Sequence, residues 1–196
     1  SGLSGTYQLF GVQVVSGDMN TISNNVIRGH ASHGISLSGD AGTNTVRGNI
    51  IRSNNLGGVW LRLATVDGNR IISNYIDSGA AGAFQDIGIR INGADVNTVS
   101  NNVIRGQFRY GVFLSNSAAS NRIVGNRISS NRGAAIGSTN GPVVGNVIAR
   151  NIIRDNTNGG ILLYAGTNNR VINNDIFRSG VRGIHVSVIA ATNRFV

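Results

Sequence analysis

The sequence predicts an all-β solenoid, a parallel β-helix of about seven to eight coils with roughly 24 residues per coil, and three observations carry that prediction. The first is a column of asparagines, Asn20, Asn44, Asn69, Asn97, Asn121, Asn146, Asn169 and Asn193, spaced 23 to 28 residues apart. Two residues after each comes an apolar residue (Ile22, Val46, Ile71, Val99, Ile123, Ile148, Val171, Phe195). Five residues after each, from Asn25 to Asn174, comes a second Asn, and seven after comes Ile, from Ile27 to Ile176. The second observation is a later segment, glycine followed by alternating apolar residues: Gly34-Ile35-Ser36-Leu37, Gly58-Val59-Trp60-Leu61, Gly88-Ile89-Arg90-Ile91, Gly111-Val112-Phe113-Leu114, Gly160-Ile161-Leu162-Leu163 and Gly183-Ile184-His185-Val186. One repeat writes it as Ala135-Ile136-Gly137-Ser138. The third is the alphabet. All 17 cations are Arg and all 8 anions are Asp, so the Lys and Glu that favour helix surfaces are missing.

Alternation within each short run has period two, which is a strand with one face buried. Each repeat has room for three strands separated by Gly, Asn and Ser turns. One such unit cannot bury its own apolar side, but stacked units can, with Ile over Ile at a strand spacing of about 4.8 Å. The two Asn columns then become hydrogen-bonded ladders at the turns.

In chain order, residues 1–19 read as a partial first coil or an N-terminal cap. Gly11-Val12-Gln13-Val14 matches the glycine segment, and Tyr7, Leu9 and Phe10 are the residues available for a cap. Residues 20–192 are seven repeats, and 193–196 open a coil that is not finished. Incomplete coils expose strand edges, so self-association or a partner chain at the coil ends is expected.

Composition narrows the chemistry. With no Cys there is neither a disulfide framework nor thiolate metal chemistry. No apolar run approaches the ~18 residues of a membrane span, and the first residues lack a signal pattern. A net charge of +9 and a pI near 11.5 point to a polyanionic partner. Acidic polysaccharide heads that class here, and nucleic acid is not the partner expected.

The frame Asn-x-Ile-x-x-Asn-x-Ile, followed by Gly-Ile-x-Leu, covers residues 11–196 and resembles the right-handed parallel β-helix repeat family. That family includes polysaccharide lyases and hydrolases, mannuronan epimerases, phage tailspike shafts and bacterial surface proteins. The resemblance implies right-handed winding and an extracellular, cell-surface or virion-surface setting; it does not fix an activity, because the frame builds the solenoid. The Asp-Pro-His motif of the epimerases is absent, Pro142 being flanked by Gly141 and Val143. The calcium–carboxylate and arginine pattern of the pectate lyases is not found either.

Function would sit at the outward positions. The residue between the two apolar ones of the glycine segment forms the column Ser36, Trp60, Arg90, Phe113, Gly137, Leu162, His185; two residues on runs Ser38, Arg62, Asn92, Ser115, Thr139, Tyr164, Ser187. Coils two to four thus gather Trp60, Arg62, Arg90, Asn92, Tyr110 and Phe113 onto one strip, with Asp86 and Arg109 at its margin beside the insertion that ends at Phe84. Aromatic platforms beside Arg suit a sugar ring bearing a carboxylate. The alternative is burial of the same residues under another subunit. A second column, Arg28, Arg52, Asp77, Arg105, Ser129, Arg154, Phe177, is either a solvated face with one ion-pair rung or a track for a polyanion.

Asp18, Asp40, Asp67 and Asp95 lie in successive turns, where they cap backbone or hold a cation with oxygen ligands, calcium being the ion considered. No cofactor is expected. His30 and His33 read as a loop pair.

Three functions remain open: a structural or surface module contacting polyanionic glycan, as in a shaft, fibre or adhesin; a lyase or epimerase on a uronate polymer; and a non-catalytic glycan-binding module. Proton abstraction beside a carboxylate needs a base, an acid and a charge neutraliser, and Tyr110, Asp86 and Arg90 are the residues available for those roles.

Overall fold

The computed structural model describes residues 8–79, 84–139, 141–187 and 193–196; Tyr7 and positions 80–83 of the insertion lie outside the described residues. Every described coil contributes one strand to each of up to three parallel sheets. The first sheet carries the long strands, Val12–Val15, His33–Ser38, Gly57–Arg62, Ile87–Asn92, Tyr110–Ser115, Ala134–Thr139, Gly159–Tyr164 and Ile184–Ser187. The second is built from three-residue strands such as Thr98–Ser100 and Arg122–Val124, and the third from strands such as Val103–Arg105 and Arg127–Ser129. Register places like on like: Val99 pairs with Ile71 and Ile123, and Ile104 with Ile76 and Ile128. The fold class predicted from the repeat is the one observed.

The core is the set of inward columns. Ile51, Ile76, Ile104, Ile128 and Ile153 are fully buried, as are Ile35, Val59, Ile89, Val112, Ile136 and Ile161 facing them. Glycine 34, 58, 88, 111 and 160 also turn inward, because a Cβ there would meet the Cγ2 of the facing Ile; at Gly88 that contact is 2.5 Å to Ile104. Gly therefore lets the long strand bend tightly against the Ile column.

Between the second and third sheets each coil turns through one left-handed residue just before the ladder Asn: Asn24, Gly48, Ser73, Asn101, Gly125, Arg150 and Asn173. Gly and Asn suit that conformation, whereas a long side chain is penalised by about 1–2 kcal/mol. Arg150, at φ 54°, is the misfit. Arg150→Gly should raise stability by roughly 0.5–1 kcal/mol in denaturant unfolding; an unchanged or lowered midpoint would count against strain at this turn.

Both predicted Asn ladders are present, buried in the middle coils and open at the ends, where Asn20 and Asn25 are exposed. Asn49, Asn74, Asn102, Asn126, Asn151 and Asn174 each accept from the backbone N–H of the ladder residue one coil earlier, at 2.8–3.0 Å. Three of the four Asp turns cap backbone: Asp18, Asp67 and Asp95 accept from Gly42, Asp95 and Ala119 N–H at 2.7 Å. Among the described residues no helix is long and apolar enough to cross a membrane.

Candidate functional site

The outward face of the long-strand sheet has three columns. Residues 60, 90 and 113 are register partners, so Trp60, Arg90 and Phe113 stack on consecutive coils as the repeat predicts. Arg62 and Asn92 pair in the next column. The third column starts each strand and holds His33, Gly57, Ile87 and Tyr110.

These columns are linked through their rings. The Arg90 guanidinium lies between two faces, 5.6 Å from the Trp60 ring and 5.9 Å from that of Phe113. Arg62 covers Trp60 at 4.9 Å. His33 stacks on the far side of the strip against Trp60, centroids 4.6 Å apart, and Tyr110 stacks on Phe113 at 4.7 Å. The order along the strip is therefore imidazole, indole, guanidinium, phenyl, phenol. Phe113 is almost fully buried by this packing. Two donors inside it, Trp60 Nε1 and Arg90 Nε, are buried without an acceptor. A buried unmade hydrogen bond costs about 1–3 kcal/mol, so the strip holds unspent hydrogen-bonding capacity.

At the margin, Arg109 grips Asp86 with both Nε, at 2.6 Å, and Nη2. Asn92 Oδ1 accepts from Ser115 and Asn116 at 2.9 and 2.7 Å. Burial pushes the Tyr110 phenol up from its ordinary value, with the Tyr164 and Asp86 charges adding to the rise. Burial, then Arg109, pulls the Arg90 guanidinium down. Tyr110 is thus held protonated, which disfavours it as a base. Asp86 is tied up in its pair with Arg109.

Beyond Tyr110 the same face opens into a cleft lined by Tyr110, Ala134, Asn158, Leu162, Tyr164 and Arg182. Tyr110 reaches its wall by leaning over coil five, where a Cβ on Gly137 would sit 2.6 Å from the Tyr110 ring. The aromatic strip therefore ends at a cleft whose first wall is Tyr110.

Two features were not legible as sequence. His33 is a strand residue rather than half of a loop pair: it starts His33–Ser38, is 2% exposed, and contacts Ser32 Oγ through Nδ1 at 3.0 Å. The other is a third polar ladder, Asn54, Gln85, Gln107, Asn131, Asn156 and Ser179, joined by bonds such as Gln85 Nε2 to Gln107 Oε1 at 3.0 Å and Asn131 Nδ2 to Asn156 Oδ1 at 2.8 Å. It fixes the entry to each long strand and so places Asp86, Arg109 and Tyr110. Its signal is a polar residue ten positions after most first-ladder Asn residues, blurred by the change of residue type and by the insertion before Gln85.

His33 also makes stability pH-dependent. Burial, with Arg90 adding to it, lowers its pKa from 6.5 to about 4. The unfolded chain binds a proton that the folded chain refuses, so the contribution is intact above about pH 6.5 and lost as pH falls toward 4. The expected slope in that window is about 1.4 kcal/mol per pH unit. His33→Gln should flatten it; an unchanged slope in urea titrations would remove His33 as the cause.

Residues 87–195 match the family model described as the right-handed beta helix region, and residues 4–83 match the model described as periplasmic copper-binding protein (NosD). Among solved structures, the A-module of mannuronan C-5 epimerase AlgE6 from Azotobacter vinelandii is similar at 16% identity and a TM-score of 0.76, covering 96% of this chain and 54% of that one. The periplasmic alginate epimerase AlgG is similar at 15% identity and TM-score 0.70, covering 95% and 47%. The DFA-IIIase of Arthrobacter chlorophenolicus A6, in complex with GF2, aligns at 13% identity and TM-score 0.71, covering 96% and 51%. The chain spans about half the length of the structures it matches. No curated protein sequence matches it.

Copper does not fit the residues matched to the second model. They hold His30, His33 and Met19 but no Cys, and among the described residues no three His, Cys, Asp or Glu side chains come together. His33 is further committed to Ser32 and the Trp60 face.

Proposed function

We propose that this chain, which belongs to the right-handed β-helix family, is a surface-type solenoid module that binds acidic polysaccharide along the outer face of its long-strand sheet. The observation that carries the reading is the Trp60–Arg90–Phe113 column, one cation held between two rings on consecutive coils. Coils repeat at about 4.8 Å, close to the length of a sugar ring. A glycan laid along the axis would pack against the ring edges, their faces being covered by His33, Arg62, Arg90 and Tyr110, and present its carboxylate to the guanidinium. Extracytoplasmic placement belongs to the same reading, since one matched model and one structural neighbour are described as periplasmic.

A second reading, a lyase or epimerase on a uronate polymer, is favoured by the cleft beside Tyr110 and by neighbours named as alginate epimerases. In it Tyr110 is the proton donor, Arg90 neutralises the carboxylate, and Asp86 must leave Arg109 to act as base. That last demand puts binding ahead of catalysis.

Titration with alginate and pectate fragments tests both. Arg90→Ala should weaken binding about tenfold or more at low salt, the loss of a charge-assisted contact. Trp60→Ala should cost less, and the gap should close as salt rises. Unchanged affinity with lost assembly on a sizing column would sink the strip and leave a subunit contact. Appearance of unsaturated product, or of inverted C5 centres by NMR, would promote the enzyme.

A further inference from the structure

The third sheet carries a feature that the strip does not use. Along its outer face the register sequence is Arg28, Arg52, Asp77, Arg105, Ser129, Arg154. The one acid among them is already saturated: Asp77 accepts from the Tyr75 hydroxyl, Gly79 N–H and Arg105 Nε, each at 2.9 Å. At the far end Asp155 is taken by Arg178 at 2.7 and 3.2 Å, leaving Arg154 at 4.0 Å. Among the described residues Arg28, Arg52 and Arg127 have no carboxylate partner.

The unpaired guanidiniums border two hollows. One lies between Arg28 and Arg52, walled by Ser53 and the glycines beside them. The other is ringed by Arg105, Arg127 and Arg154 around Ser129, where the smaller side chain interrupts the Arg column. Arg28 and Arg52 sit on adjacent rungs about 4.8 Å apart, where like charges repel. An oxyanion between them would turn that repulsion into paired charge-assisted bonds.

We propose that this face is a second polyanion-binding surface, on which an acidic polysaccharide lies along the coil axis with one anionic group in each hollow. Spacing favours a glycan. The two hollows, one at Arg28 and Arg52 and the other around Ser129, lie three to four coils apart, roughly 14–19 Å, a span that three or four sugar rings of an extended chain cover. Nucleic acid fits less well, because base stacking needs open aromatic faces. The Tyr75 ring here is covered by Arg105 at 5.4 Å, and its hydroxyl is bound to Asp77. The surface is independent of the Trp60 strip, so a module with both faces would hold two chains at once.

Calorimetric titration with a pectate fragment, bearing carboxylates, and a heparin fragment, bearing sulfates, tests the proposal in the intact chain. The parent should take up two fragments of at least one kind. The triple variant Arg28→Gln, Arg52→Gln, Arg127→Gln should take up one and lose about tenfold or more in affinity at the missing site. None of these three residues has an ion-pair partner to lose, so folding, checked by circular dichroism, should be unaffected. Trp60→Ala with Arg90→Ala should remove the other fragment; if it removes both, the second surface fails and the strip stands, and if it removes neither, the strip fails. The control Arg70→Gln, Arg122→Gln, Arg170→Gln takes the same charge from the second sheet. An equal loss in that control, an undiminished triple variant, or displacement of the glycan by a single-stranded oligonucleotide of matched charge would overturn the proposal.

Discussion

Asn102→Leu should lower stability by about 2–6 kcal/mol, although leucine is nearly the same size and more apolar. The reason lies in what the amide serves. Asn102 Oδ1 accepts from the backbone N–H of Asn74 at 2.8 Å and from its Nδ2 at 3.0 Å. Its own Nδ2 donates to the Ile71 carbonyl at 2.8 Å and to Asn126 Oδ1 at 3.0 Å. Leucine keeps only the two backbone bonds, from residue 102 N–H to Asn126 Oδ1 and from Arg127 N–H to the residue 102 carbonyl. It strands at least one buried N–H and one buried carbonyl, at about 1–3 kcal/mol each. A chain of this length should melt roughly 5–20 °C lower. A Leu variant that melts with the parent would mean the ladder contributes nothing net.

How far the sequence reveals this protein depends on how repetitive each feature is. The Asn and Ile columns are legible because stacking forces the same residue into the same place in coil after coil, and seven copies outvote any one exception. The ring strip is legible for a related reason: register carries residues 60, 90 and 113 onto one line once the coil length is known. What stays hidden is orientation across columns. Nothing in the spacing says that His33 leans over Gly57 onto Trp60, because that depends on the missing side chain at Gly57, where a Cβ would be 2.8 Å from the His33 ring. The third ladder hides for the opposite reason. Asn, Gln and Ser each supply the needed hydrogen bond at a different reach, so selection for the bond does not preserve the letter. The Asp86–Arg109 clamp depends on the insertion before it, whose length no neighbouring repeat predicts.

Ile104→Ala should cost about 2–5 kcal/mol, from lost transfer energy and the cavity left behind. Ile104 is fully buried and stacked between Ile76 and Ile128, so neither neighbour can slide along the axis to fill the gap without leaving its own strand pair. The cavity nevertheless has one adjustable wall. Gly88 faces it, and a Cβ there would lie 2.5 Å from Ile104 Cγ2 and 2.5 Å from the Gly111 carbonyl oxygen. Gly88→Ala alone is therefore an overpacking change, expected to cost about 1–3 kcal/mol. In the double variant the side-chain clash disappears and the new methyl occupies part of the space Ile104 vacated. The carbonyl contact remains, so rescue should be partial, with the double variant milder than the sum of the singles by about 0.5–3 kcal/mol. The glycine column tolerates a methyl at Ala135, which is itself fully buried, so the change is within what the fold accommodates. Strict additivity in urea unfolding would show that Gly88 is constrained by the neighbouring backbone alone. A loss below about 1 kcal/mol for Ile104→Ala, well under the usual range, would mean the column does not carry the core.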